Sequence, residues 1–140
     1  MKLYIPLIIA TIALSACQSA PSSNTQQAQL DLIGDWHIEQ IGKQPVIDYS
    51  PARIRFDLDG RLSGNNSCNN FFGTYQQINS ELSLAPAGST MKACVDALME
   101  QEQRTMQAMA QVLQAKMVKG RLHLLNAQKD TVLILTKKGD

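Results

Sequence analysis

Between Arg53 and Leu58 the chain reads Arg-Ile-Arg-Phe-Asp-Leu, alternating charged and apolar positions without a break. A period of two places the apolar side chains on one face of a strand, so residues 53–58 predict a β-strand with one buried and one wet face. Asp59-Gly60 follows and predicts a tight hairpin turn, because Gly accepts the positive φ such turns need; Arg61-Leu62-Ser63 begins the return strand. Residues 36–41, 70–75 and 82–85 predict further strands. Near the end, 122–124 and 132–136 form a last pair joined by 126–130. The second of these is apolar on both faces and predicts a central position in the sheet.

One segment departs from this rhythm. Residues 96–114 hold no Gly or Pro, and Val95, Leu98, Met99, Met106, Met109, Val112 and Leu113 recur at spacings that form one broad helical stripe. Asp96 is the candidate N-cap, and Glu100 and Glu102 lie near the positive end of the helix dipole. The stripe is expected to pack on the core; a Met-rich stripe can also serve as an adaptable peptide-binding face. Strands and helix together predict an α+β fold: a mostly antiparallel sheet covered by one principal helix.

Ahead of this domain the pattern is of another kind. Met1-Lys2 precedes an uncharged, mostly apolar run over 3–16, which has the charged start and short apolar core of a secretory signal and is too short to stay as a membrane-spanning helix. It ends in Leu14-Ser15-Ala16-Cys17, which resembles the lipobox of bacterial lipoproteins. That resemblance implies cleavage after Ala16, so that 1–16 is a signal peptide, and diacylglycerol on the Cys17 sulfur, anchoring the protein to a membrane. Gln18 stands where an Asp would retain an enterobacterial lipoprotein in the inner membrane. The expected location is therefore the outer membrane, with the domain facing the periplasm. Residues 17–29 carry the lipidated Cys and then a polar stretch, QSAPSSNTQQAQ, with no large apolar side chain; such a stretch cannot offset its ordering entropy and is read as a flexible tether. The folded domain is expected over 30–140, as a monomer. Loss of the leader removes Lys2 and leaves acidic and basic side chains balanced, so no basic field exists to attract nucleic acid.

The centre of the domain reads Gly64-Asn65-Asn66-Ser67-Cys68-Asn69-Asn70-Phe71-Phe72-Gly73-Thr74-Tyr75, followed downstream by Ser89-Thr90-Met91-Lys92-Ala93-Cys94. These two segments, the helix after them and Trp36 in the opening strand resemble the META/HslJ-like family over roughly residues 30–137. The resemblance implies a cracked small antiparallel β-barrel with a helix against it, similar to some secretin pilot lipoproteins. Members are envelope proteins linked to heat shock and to novobiocin tolerance in enterobacteria. No catalytic residue carries over. From the residues themselves, Gly64 and Gly73 permit backbone approaches that a side chain would obstruct. Asn65, Asn66, Asn69 and Asn70 can build a loop by bonding neighbouring backbone, or present amides to a polar ligand such as a glycan.

With Cys17 lipidated, Cys68 and Cys94 are an even pair in an oxidising compartment, and a disulfide between them is the natural inference; two buried thiols on different faces is the alternative. A thiol-dependent hydrolase or redox protein would need Cys68 or Cys94 beside a base such as His37 or His123, yet each His occupies the polar position of a strand and is expected at the surface. No metal is expected: the two Cys are far apart, and Asp57-Leu58-Asp59-Gly60 lacks the other ligands of a calcium loop. Nucleotide loops and a Gly-x-Ser-x-Gly elbow are absent, and no cofactor is expected. The chain is thus read as non-enzymatic: a binding or accessory lipoprotein engaging an envelope protein or peptide. A pilot-like carrier holding an apolar helix or acyl chain is the alternative.

Overall fold

The computed structural model describes residues 29–139. The expected signal peptide (1–16), the lipidation site Cys17 and tether residues 18–28 lie outside the described residues. Nine strands and one helix are present among those described: β1 (Gly34–Ile41), β2 (Gln44–Pro45), β3 (Arg53–Phe56), β4 (Arg61–Asn65), β5 (Asn70–Ile78), β6 (Glu81–Ser89), α1 (Asp96–Ala110), β7 (Gln114–Val118), β8 (Arg121–Leu125) and β9 (Thr131–Lys137).

Alternation in β3 works as its sequence dictates, with Ile54 and Phe56 inside and Arg53 and Arg55 outside. The strand nevertheless ends two residues early. Asp57 N–H donates to the Arg61 carbonyl and Gly60 N–H to that of Asp57, so the turn begins at Asp57 and carries Leu58 into solvent at 88% exposure. Gly60 supplies the positive φ, 81°.

Every pairing is antiparallel, in the order β2-β1-β3-β4-β5-β6-β7-β8-β9, and β1 also pairs with β9. The circuit does not close into a true barrel. β6 meets β7 through one register pair, Glu81 with Gln114, flanked by the bonds Leu82 N–H to Leu113 O and Ala115 N–H to Ser80 O. Past that seam β6 runs against α1 instead, which also contacts β9 and β1. The fold is α+β, a cracked antiparallel sheet with one principal helix in the crack.

The interior is filled by side chains. Ile54, Phe56, Leu62, Leu122, Leu124, Leu133 and Leu135 are fully buried in one cluster that also takes in Ala108 and Met109 of α1 and Leu84 of β6. Burying side chains of this size stabilises by roughly 1.5–3 kcal/mol each. Val132, Leu133, Ile134 and Leu135 are all buried, as a central strand requires. Two glycines let neighbouring strands approach: a Cβ on Gly64 would sit 2.1 Å from the Arg53 carbonyl, and one on Gly73 2.2 Å from that of Ala85.

Three details of α1 and its surroundings differ from the sequence pattern. The helix stops at Ala110, and Gln114 opens β7, a strand that the sequence pattern does not announce; its burial is irregular, with Met117 exposed and Ala115 buried. Val95, in extended conformation, is the N-cap and no side chain caps it, so Asp96 is instead a first-turn acid, where the dipole favours it. Finally, the buried face of α1 consists of Gln101, Thr105, Ala108 and Met109, whereas Val95 and Met99 are 61% and 47% exposed. Leu113, beyond the helix end, is also half exposed.

Candidate functional site

Asn65 to Asn69 turn the chain from β4 into β5, and all five residues are buried. The Asn side chains do the work of backbone. Asn65 Oδ1 accepts from Ser67 N–H and Asn66 Oδ1 from Asn69 N–H, while Asn66 N–H closes the loop onto the Asn69 carbonyl. This scaffold lets Ser67 hold φ at 116°, which a non-glycine residue rarely adopts. Of the four amides, only Asn70 is exposed, and its Oδ1 already accepts from Asn65 Nδ2. The Asn66 Nδ2 group is buried without a protein partner.

Asn69 ties this loop to the second motif segment. Its Oδ1 accepts from Thr90 Oγ1 and from Lys92 N–H, each at 2.7 Å, and its Nδ2 donates to Glu102 Oε2 at 2.9 Å and to the Lys92 carbonyl at 3.3 Å. Beside it Cys68 and Cys94 form a disulfide across a sequence separation of 26, with Cα atoms 5.9 Å apart. The two motif segments are therefore joined covalently and by one amide. Neither sulfur is a free thiol, and the thiol-dependent reading has no nucleophile at these positions.

On the helix the decisive residue is Gln101, fully buried. Its Oε1 accepts from Ile47 N–H at 2.9 Å, and its Nε2 donates to Ser50 Oγ at 2.6 Å and to Ser67 Oγ at 2.8 Å. One turn on, Thr105 satisfies its hydroxyl on the Gln101 carbonyl at 2.8 Å. An unpaired buried amide would be costly, but this one is fully bonded, so a polar pair can hold the inward face. Gln101 was legible in one respect: Leu98, Gln101, Thr105, Ala108 and Val112 recur at three- and four-residue spacings, a second helical face with two polar members. Hydrophobicity alone selects the neighbouring stripe.

That stripe is split: Met109 and Val112 pack in the core, while Val95 and Met99 face outward. Val95, Met99, Glu102 and Met106 share one side of the helix by their spacing, with Met106 partly buried at its edge. Met99, Glu102 and Met106 line a groove of about 260 Å³ together with Asn69, Lys92 and Gln103. A second groove, of about 440 Å³, lies at the β6–β7 seam between Ile78, Leu82 and Leu113 and several polar residues.

The histidines lie elsewhere. His37 on β1 is exposed, as expected. His123 on β8 is half-buried rather than exposed: Nδ1 lies 3.4 Å from Thr131 Oγ1 and Nε2 is buried without a protein partner. Burial, then the charges of Arg121 and Lys116, pushes the imidazole below its usual pKa. Among the described residues no group of three or more His, Cys, Asp or Glu side chains is placed to hold a metal ion. No helix among them is long and apolar enough to cross a membrane.

The META domain family matches residues 28–139. The fold is similar to a DUF4847-family protein from Bacteroides vulgatus, 13% identical with a TM-score of 0.61 over 78% of this chain and 95% of that one. It is also similar to a protein from Burkholderia xenovorans, 18% identical, TM-score 0.63, over 97% and 100% of the two chains. A further protein solved by NMR is 25% identical, with a TM-score of 0.57 over 75% and 89%. No curated protein matches.

Reducing the disulfide should lower stability without unfolding the domain, because the sheet and Gln101 retain their own contacts. Closing a loop of this length contributes about 3 kcal/mol at most, or on the order of 10 °C in Tm. Thermal melts of oxidised and reduced protein check this; equal melting temperatures would show that the Asn69 bonds alone hold the two segments.

Proposed function

Since the chain belongs to the META domain family, we propose that it is a non-enzymatic lipoprotein of the bacterial envelope, a binding or accessory protein that engages another envelope polypeptide and supports stress tolerance. The observation that carries the binding role is the outer side of α1: the helix turns Gln101 and Thr105 inward with Ala108 and Met109, and leaves Val95, Met99 and part of Met106 outside. Departures from the usual arrangement of apolar and polar residues are expected where a surface is kept for function. Methionine suits such a surface because its flexible thioether adapts to varied partners.

Placement in the envelope rests on two supports. The lipobox at residues 14–17 would anchor the chain through Cys17, and Gln18 favours the outer membrane over the inner. The Cys68–Cys94 bond is of a kind that persists in oxidising compartments such as the periplasm. The roles in heat shock and novobiocin tolerance are those of the family. A pilot-like carrier would need room inside the barrel for a helix or acyl chain, and that space is occupied by the cluster around Phe56, Leu84 and Met109. A partner seated on the outer face of α1 fits the packing better.

A photo-crosslinking residue in place of Met99 should give discrete adducts in intact cells, and one in place of Gln107, on a different exposed side of the helix, should not. Adducts of equal yield at both positions, or none at Met99, contradict the binding face. For the anchor, metabolic labelling with a palmitate analogue should mark the wild type and be abolished in Cys17→Ser; unlabelled wild-type protein would rule the lipid out.

A further inference from the structure

We propose that the groove beside α1 takes a basic side chain, lysine or arginine, of the bound polypeptide, with its charge on Glu102 and its aliphatic stem between Met99 and Met106. The inference rests on the binding face proposed above and adds the chemistry of the partner.

Glu102 is half-buried at the groove, and its position is held from behind. Oε2 accepts from Asn69 Nδ2, and that amide is itself fixed by Thr90 and by both backbone groups of Lys92. The carboxylate is thus presented in one orientation before any partner arrives, which lowers the ordering cost of binding. It also lacks a counter-charge. Asp31, Asp35, Asp57 and Asp59 each have a lysine or arginine within 4.0 Å, whereas no described cationic side chain comes that close to Glu102. Lys92 lines the same groove, but its side chain is exposed to solvent and makes no ion pair with Glu102.

On either side of this carboxylate along the helix stand Met99 and Met106, three residues before it and four after. A lysine or arginine has the matching construction, an apolar stem ending in a charge, and such stems readily lie along apolar surface. An acidic side chain seated between Met99 and Met106 would instead meet the Glu102 carboxylate as a like charge. Charge complementarity therefore selects a basic, partly apolar segment.

The test uses the full chain in uncharged detergent micelles, with its methionine methyl groups labelled for NMR. It is titrated with a short capped peptide of alternating leucine and arginine, and with the same peptide carrying glutamine for arginine. The arginine peptide should shift the Met99 and Met106 methyl signals, leave that of Met117 unmoved, and bind about fivefold more tightly than the glutamine peptide. Glu102→Gln keeps an acceptor for Asn69 and should erase that preference without lowering Tm. Glu102→Lys should transfer the preference to a peptide with glutamate in place of arginine. Equal binding of both peptides at Met99 and Met106, or a preference that survives Glu102→Gln, overturns the charge pairing and leaves the binding face standing. If neither peptide moves those methyl signals, the binding face falls with it.

Discussion

Gln101 lies wholly buried on α1, and its amide bonds the Ile47 N–H, the Ser50 hydroxyl and the Ser67 hydroxyl. These partners belong to two different connections, the one between β2 and β3 and the one between β4 and β5. One side chain therefore fixes the rotation of the helix about its axis and binds two loops that strand pairing leaves free. An unpaired amide at the same place would cost roughly 1–3 kcal/mol, so the bonds and the burial stand or fall together. Other rotations of α1 would bury more methionine but leave this amide, or the loop groups, without partners.

Several features follow from that rotation. Val95, Met99 and Met106 come to lie outside or at the edge, beside Glu102. Asn69 then reaches the Glu102 carboxylate while holding Thr90 and Lys92, and the disulfide secures the same segment a few residues on. The loop from β4, the strap before α1 and the outward side of α1 form one continuous structure. Its interior is polar and bonded, and its exterior sets Met99 and Met106 beside the held carboxylate, with Lys92 and Gln103 at the groove.

Much of the fold was legible because strand alternation survives in three dimensions: Ile54 and Phe56 point inward, and residues 132–135 are buried on both faces. The motif segments also declared their relation, since Cys68 and Cys94 could be paired by cysteine counting. What stayed hidden has physical reasons. The early turn at Asp57 depends on a bond to Arg61 that alternation does not reveal. The strand β7 is held mainly by β8, with Ala115 its only buried residue, so its own sequence carries little period. The bonding of the Asn side chains to loop backbone was legible, but the burial of Asn65, Asn66 and Asn69 was not, because Asn is usually exposed. Hydrophobicity gave no sign of Gln101, since its environment is set by Ser50 and Ser67, far away in sequence.

The buried polar contact of Gln101, more than the apolar side chains at Val95 and Met99, orients α1. Comparing the urea unfolding of Gln101→Met and Met99→Gln tests it most directly, because the two exchanges alter hydrophobicity in opposite directions on one helix. Gln101→Met, though more apolar, should lose about 2–3 kcal/mol by leaving Ile47 N–H and the serines without their partner, while Met99→Gln should change stability by less than about 0.5 kcal/mol. A stable Gln101→Met with a strongly weakened Met99→Gln would contradict it.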